Sequence, residues 1–120
     1  MRVVVIGDSG VGKTSFIRHL TNTHTYECQS TIGADTIRMH YKGKKIDLWD
    51  TAGQEAYRSL IKMYVRGASV AILMFDLNKI STFKSLDYWW NHVKNSNVLC
   101  KYVVVGNKSD KMRDTMIYDM

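Results

Sequence analysis

The chain has 120 residues, 45% of them hydrophobic and none of them proline, and its 17 basic side chains exceed its 11 acidic ones by six. That balance describes one globular domain and excludes a disordered, collagenous or coiled-coil chain. The excess positive charge permits a phosphate, membrane or nucleic-acid partner but chooses among none of them, and the longest uncharged apolar run, residues 69–75, falls far short of the roughly 20 needed to cross a bilayer.

In chain order, residues 3–6 form an unbroken apolar run, as expected of a strand buried on both faces of a parallel sheet. It leads into Gly7-Asp8-Ser9-Gly10-Val11-Gly12-Lys13-Thr14, a full match to G-x-x-x-x-G-K-[ST], and then into helix-compatible Ser15-Phe16-Ile17. The glycines let successive backbone N–H groups turn inward around a phosphate, and the new helix N-terminus adds positive potential. Lys13 would reach the β- and γ-phosphates, and the Thr14 hydroxyl would ligate Mg²⁺. A glycine-rich turn with a stray lysine is the alternative, and the strand-to-helix context argues against it. By itself the motif specifies a nucleoside triphosphate and no particular base.

Ser30-Thr31-Ile32-Gly33 falls in a loop before a hairpin. There Ile37, Met39 and Tyr41 alternate with polar residues, Lys42-Gly43-Lys44 turns, and Ile46 and Leu48 alternate again. Trp49-Asp50-Thr51-Ala52-Gly53-Gln54-Glu55 closes the second hairpin strand, with Asp50 placed to hold a Mg²⁺ shell. Tyr57, Leu60, Ile61, Tyr64 and Val65 recur at the spacing of one helix face. Residues 70–75 form a second buried strand. Phe83, Leu86, Trp90 and Val93 then predict a helix with Ser81 or Thr82 as its N-cap, Trp89 and Trp90 reading as core and helix-surface aromatics.

Residues 102–105 make the last strand, after which Asn107-Lys108-Ser109-Asp110 emerges at the carboxyl edge of the sheet, where open α/β folds bind ligands. The sum is a single α/β domain over residues 1–120, a mostly parallel sheet with one antiparallel edge strand. The final ten residues read as a short helix with Met112, Met116 and Met120 on one face. Asp8 interrupts any signal-peptide apolar stretch, so the expected location is cytoplasmic. Cys28 and Cys100 are then expected as free thiols, and the four histidines show no metal-ligand spacing. Lys42, Lys44 and Lys45 read as a solvated hairpin tip, with no nucleic-acid partner implied.

Taken together and in this order, these segments resemble the Ras superfamily of small GTPases, and within it the Rab family. The resemblance runs from residue 1 to about residue 113 and rests on residues 7–15, 30–35, 49–55 and 66–68. It implies a P-loop NTPase small G-domain that binds GTP or GDP with Mg²⁺. The loop formed by Ser9, Gly10, Val11, Gly12, Lys13, Thr14 and Ser15 would hold the phosphates. Thr14 and Thr31 would ligate Mg²⁺, with Asp50 acting through a water. The Gly53 amide would bind the γ-phosphate, and Gln54 would orient the attacking water. Asn107 and Asp110 would read guanine, with Lys108 packing over the base, and either His24 or Tyr26 is placed to stack on it.

The resemblance further implies a switch whose loops around Thr31 and Tyr57 are read by effectors and controlled by an exchange factor and an activating protein, in intracellular vesicle traffic. Hydrolysis would be slow unless an arginine is supplied from outside, a contribution of roughly 10³ to 10⁵ in rate. Against the family pattern, the chain is expected to lack the last strand and final helix, leaving a sheet face open to self-association. It also ends without a cysteine motif for prenylation, so no stable membrane anchor is expected. The rival reading is a non-hydrolysing nucleotide-binding or partner-sequestering module. A P-loop kinase is a weaker rival, since it leaves Asn107 and Asp110 unexplained.

Overall fold

A computed structural model describes residues 1–21, 26–31, 34–107 and 115–118, with side chains at 1–20 and 36–107. Strand β1 (Arg2–Gly7) lies at the centre of the sheet, parallel to β4 (Lys44–Asp50) on one side and β5 (Val70–Asp76) on the other. Strand β6 (Lys101–Asn107) continues the parallel set beyond β5. Strand β3 (Ala34–Tyr41) is the expected antiparallel partner of β4 in the hairpin. Helices α1 (Lys13–Thr21), α2 (Arg58–Arg66), α3 (Ile80–Lys84) and α4 (Leu86–Ser96) complete the described elements.

Alternation along β1 sets the two cores. Val4 and Ile6 point to the side of α2 and α4, where they join Ile61, Tyr64, Val65, Leu73, Trp89 and Val93. Val3 and Val5 point the other way, to Val11, Ile17, Met39, Leu48, Met74 and Val105 on the α1 side. Helix α2 has nine residues, too few to persist alone in water. Its buried Ile61, Tyr64 and Val65, each worth roughly 1.5–3 kcal/mol on a typical burial scale, keep it folded. Carbonyls at and just beyond its C-terminus are met by Asn97, whose Nδ2 donates to those of Val65 at 3.0 Å and Ala68 at 2.9 Å. Between α2 and α4, Arg58 donates to the Tyr88 hydroxyl and lies over its ring. Burial, with Lys62 and Arg58 nearby, holds the His92 imidazole below its usual pKa range. Cys100 is a free, buried thiol, pushed upward by desolvation; the Cys28 side chain lies outside the described residues.

Three elements differ from the sequence reading. Ser30 and Thr31 belong to a strand, β2 (Tyr26–Thr31), which pairs antiparallel with β3 and becomes the sheet edge. At the opposite edge the tail forms strand β7 (Thr115–Tyr118), antiparallel to β6, in place of the expected helix. The sheet order is therefore β2-β3-β4-β1-β5-β6-β7. In both cases an edge strand offers a row of unpaired backbone groups, and a neighbouring segment containing Thr, Tyr or Ile takes them up. The helix expected over residues 83–93 is split at Ser85 into α3 and α4. Thr82, a candidate N-cap for that helix, instead accepts from the Asp76 amide at 2.7 Å and donates to the Lys79 carbonyl at 2.7 Å. That ties α3 to the end of β5 and leaves Phe83 half exposed. Trp89 is buried and Trp90 partly so, as read.

Thr36 on β3 lies opposite Trp49, whose ring packs against Tyr64 at 5.1 Å and beneath the Arg2 guanidinium at 4.0 Å. Thr36 is buried, and its Oγ1 is the buried side-chain polar atom without a hydrogen-bond partner among the described residues. Leaving such a group unpaired costs roughly 1–3 kcal/mol. Thr36→Val should therefore raise stability by about 1 kcal/mol, read as a higher urea midpoint at unchanged slope. An unchanged or lower midpoint would mean that the hydroxyl is satisfied.

Candidate nucleotide-binding site

The four parallel strands end together, and the G-x-x-x-x-G-K-[ST] loop crosses that end between β1 and α1. Gly12 has φ +96°, a conformation that favours glycine, and a Cβ there would push aside the Asn107 side-chain amide. Asn107 Nδ2 donates to the Val11 carbonyl at 3.2 Å, fastening the loop to the end of β6. The Val11 side chain is fully buried in the core, so this residue offers the cavity only its backbone.

Lys13 is 3% exposed. Its Nζ donates to the Gly7 carbonyl at 2.8 Å, the Asp8 carbonyl at 2.8 Å and Glu55 Oε2 at 2.6 Å, which engages all three donors of the ammonium. The other Glu55 oxygen accepts from the Gly53 amide at 3.1 Å. One carboxylate thus bridges the buried lysine and a backbone N–H across the mouth of the loop.

Beside it, Thr14 Oγ1 donates to Asp50 Oδ2 at 2.6 Å, and Asp50 Oδ1 accepts from the Ala52 amide at 3.0 Å. Thr51 Oγ1 donates to the Val5 carbonyl at 2.7 Å, which holds the start of this second loop against β1. Between the two loops lies an open cavity of about 330 Å³, lined by Ser9, Gly10, Gly12, Lys13, Thr14, Ser15, Ala52, Gly53 and Glu55.

The structure therefore gathers most of the expected phosphate-side residues around one cavity. Gln54 is half-buried in a tight turn, its amide donating to the Thr51 carbonyl and its carbonyl accepting from the Tyr57 amide, both at 2.9 Å. It is not among the cavity-lining residues. Thr31 is placed by its backbone alone; its side chain, with Lys108, Asp110, His24 and the Tyr26 side chain, lies outside the described residues.

Two residues of this site carried no role in the sequence reading. Glu55 was legible as a carboxylate two places after Gly53, but its seat on Lys13 joins positions 42 residues apart. Asp8 accepts at Oδ1 from the buried Trp89 Nε1 at 2.9 Å, a bond across 81 positions with no local signal.

Comparison with known proteins shows the family. A Ras family profile matches residues 2–119. The chain is 42% identical over 117 residues to Ras-related protein RABA1b of Arabidopsis thaliana, covering 91% of this chain and 53% of that protein. It is 42% identical over 115 residues to Ras-related protein Rab-11A of Dictyostelium discoideum, covering 91% and 54%, and 41% identical over 117 residues to Ras-related protein YPTC6 of Chlamydomonas reinhardtii, covering 91% and 53%. The chain spans about half the length of the curated relatives it matches.

Proposed function

This chain belongs to the Ras family, and on that premise we propose that it is a Rab-like switch that binds guanine nucleotide and slowly hydrolyses GTP to GDP. The observation that carries the reading is the pair of donors, Lys13 Nζ and the Gly53 amide, converging on a single carboxylate at the cavity mouth. Donors already arranged around one oxyanion are arranged for another, and a terminal phosphate offers the same kind of oxygens with more charge. GTP would displace Glu55, because carboxylate and phosphate compete for the same two groups. The Gly7 and Asp8 carbonyls keep Lys13 aimed while that exchange takes place.

The Thr14 hydroxyl and the Asp50 carboxylate, hydrogen-bonded at 2.6 Å beside the cavity, are hard oxygen donors of the kind Mg²⁺ takes, so the donor set fits that ion. When bound, Mg²⁺ would neutralise phosphate charge, Thr14 ligating it directly and Asp50 holding one of its waters. Asn107 would stand beside the base, with Asp110 and Lys108 completing the guanine pocket. In hydrolysis Gln54 would orient a water whose oxygen bonds to the γ-phosphorus as the bond to the β–γ bridging oxygen breaks, releasing phosphate. From its place in the turn, Gln54 would have to swing toward the cavity.

Loss of the γ-phosphate would free the Gly53 amide and Thr31 at the end of β2 together, and effectors would read that change around Thr31 and Tyr57. An exchange factor and an activating protein would set the balance, in the setting of vesicle traffic. On the α1 side, the half-buried Val70, Ile72 and Val103 are the sheet positions through which a second copy would associate.

A second reading, a nucleotide-binding module without hydrolysis, draws on Glu55 holding both terminal-phosphate donors. Single-turnover phosphate release separates the two. Gln54→Leu should leave GTP affinity unchanged and slow release by about tenfold or more. Equal rates in both proteins would remove Gln54 from catalysis, and no release from the unaltered chain would establish the second reading.

A further inference from the structure

The end of the molecule opposite the phosphate cavity has a chemistry of its own. Strands β1, β4, β5 and β6 all start there, and backbone bonds from Asp47 to Met1, Ser69 to Arg2 and Lys101 to Ser69 join neighbouring strands at that end into one rim. The β3–β4 turn brings Lys42, Lys44 and Lys45 to this rim, all exposed, and the Met1 ammonium donates to the Lys45 carbonyl. Helices α2 and α4 end at it with exposed Arg66 and Lys94, and β6 opens with exposed Lys101.

Of the six acidic residues with described side chains, Asp8, Asp50, Glu55, Asp76 and Asp87 lie toward the cavity end, and Asp47 is taken up by Arg38 at 2.7 Å. Among the described residues the acidic groups are therefore gathered at the cavity end, where Lys13, Arg58, Lys79 and Lys84 accompany them, and the rim presents basic groups whose one acidic neighbour, Asp47, is already paired. Lys42 takes φ +50° beside Gly43 at +79°, a turn whose first position favours Asn, Asp or Gly, so a lysine is presented at the tip in a conformation it does not prefer.

Apolar groups are presented there as firmly. Val98 and Leu99, between α4 and β6, are 83% and 87% exposed, the highest values among the exposed large hydrophobic residues described. The loop carrying them is braced: Asn97 Nδ2 donates to three carbonyls at the end of α2, and Asn97 Oδ1 accepts from the Leu99 amide at 3.2 Å. Two aliphatic side chains held out among lysines match the boundary between anionic headgroups and acyl chains. A single-stranded nucleic acid would call for aromatic stacking platforms, and of the exposed large apolar groups described at this rim, Met1, Tyr41, Val98 and Leu99, Tyr41 alone is aromatic.

We propose that this rim is a docking surface for an anionic lipid bilayer, with Val98 and Leu99 entering the interface while Lys42, Lys44, Lys45 and Lys101 meet the headgroups. The contact is reversible and salt-sensitive. It leaves the nucleotide cavity facing away from the lipid, and it is independent of the nucleotide reading.

The test is flotation of the 120-residue chain with vesicles of phosphatidylcholine alone, or with about 30% phosphatidylserine. The expected result is binding to the anionic vesicles alone, weakened about tenfold or more between roughly 0.1 and 0.5 M salt. Lys44→Glu should lower partitioning by about fivefold per unit of charge, whereas Lys84→Glu, the same charge change on α3 at the cavity end, should leave it unchanged. Leu99→Asp should weaken binding severalfold, with Val98→Asp as a second probe of the loop; thermal melts confirm that each variant is folded.

Equal loss from Lys84→Glu and Lys44→Glu would reduce the effect to net charge and overturn the proposal. So would binding to neutral vesicles alone, or binding to neither. Tighter binding to a single-stranded oligonucleotide than to anionic vesicles, indifferent to Leu99→Asp, would assign the rim to nucleic acid and overturn it as well.

Discussion

Lys13→Ala should lower nucleotide affinity by about 30-fold to 4,000-fold, because truncating one partner of a buried, hydrogen-bonded charge pair typically costs roughly 2–5 kcal/mol. The lysine is 3% exposed and placed by the Gly7 and Asp8 carbonyls, so no neighbouring cation can take over its position without moving the loop. The same change leaves those carbonyls and one Glu55 oxygen short of a donor, at a cost in stability of order 1–3 kcal/mol. Calorimetric titration with Mg·GDP, beside a thermal melt of the free protein, separates the two effects. A folded variant that binds GDP within about threefold of the unaltered chain would show that the ammonium does not meet phosphate.

Gly12→Ala should be nearly as severe through a different cause. At φ +96° an alanine is strained, and its Cβ would fall 2.2 Å from Asn107 Nδ2, well inside contact distance. Either Asn107 gives up the Val11 carbonyl, detaching the loop from β6, or the loop moves off the cavity. Both routes spoil the amide cradle and the guanine side at once, so GDP affinity should fall by about 10² or more, with a lower melting temperature. Gly10→Ala is the informative companion. It carries a positive φ of +81° but meets nothing within 4 Å, so it isolates backbone strain from the clash. Equal affinities for all three proteins would mean that the loop tolerates displacement.

The contrast between what the residues foretold and what needed coordinates follows the range of each interaction. The Gly7-to-Thr14 loop was legible because its chemistry is local: fixed spacing, glycine φ freedom and a helix start directly behind it. Helix α2 was legible because Ile61, Tyr64 and Val65 keep one face. Strands β2 and β7 were not, since a segment of four to six residues without clear alternation becomes a strand only when an edge is there to receive it. The break at Ser85 depends on Thr82 bonding Asp76 rather than capping a longer helix.

The site divides in the same way. Lys13, Thr14 and Asp50 were each singled out inside a compact string; the structure lines the cavity with Lys13 and Thr14 and hydrogen-bonds Asp50 to Thr14. Glu55 bridging Lys13 and Gly53 was missed, because a carboxylate within a motif does not disclose which distant ammonium it meets. Gln54 was read for its chemistry, and the turn that keeps it half-buried emerged only with the backbone bonds around it.

The central claim is that the cavity between the two loops takes the phosphates of a guanine nucleotide. Calorimetric titration of the purified chain with Mg·GDP and, separately, Mg·ADP tests it most directly. The account predicts a GDP complex at least about 10² tighter than the ADP complex, because polar groups built for one base edge are left unpaired by the other. Equal affinity for the two, or no heat with either, would contradict it.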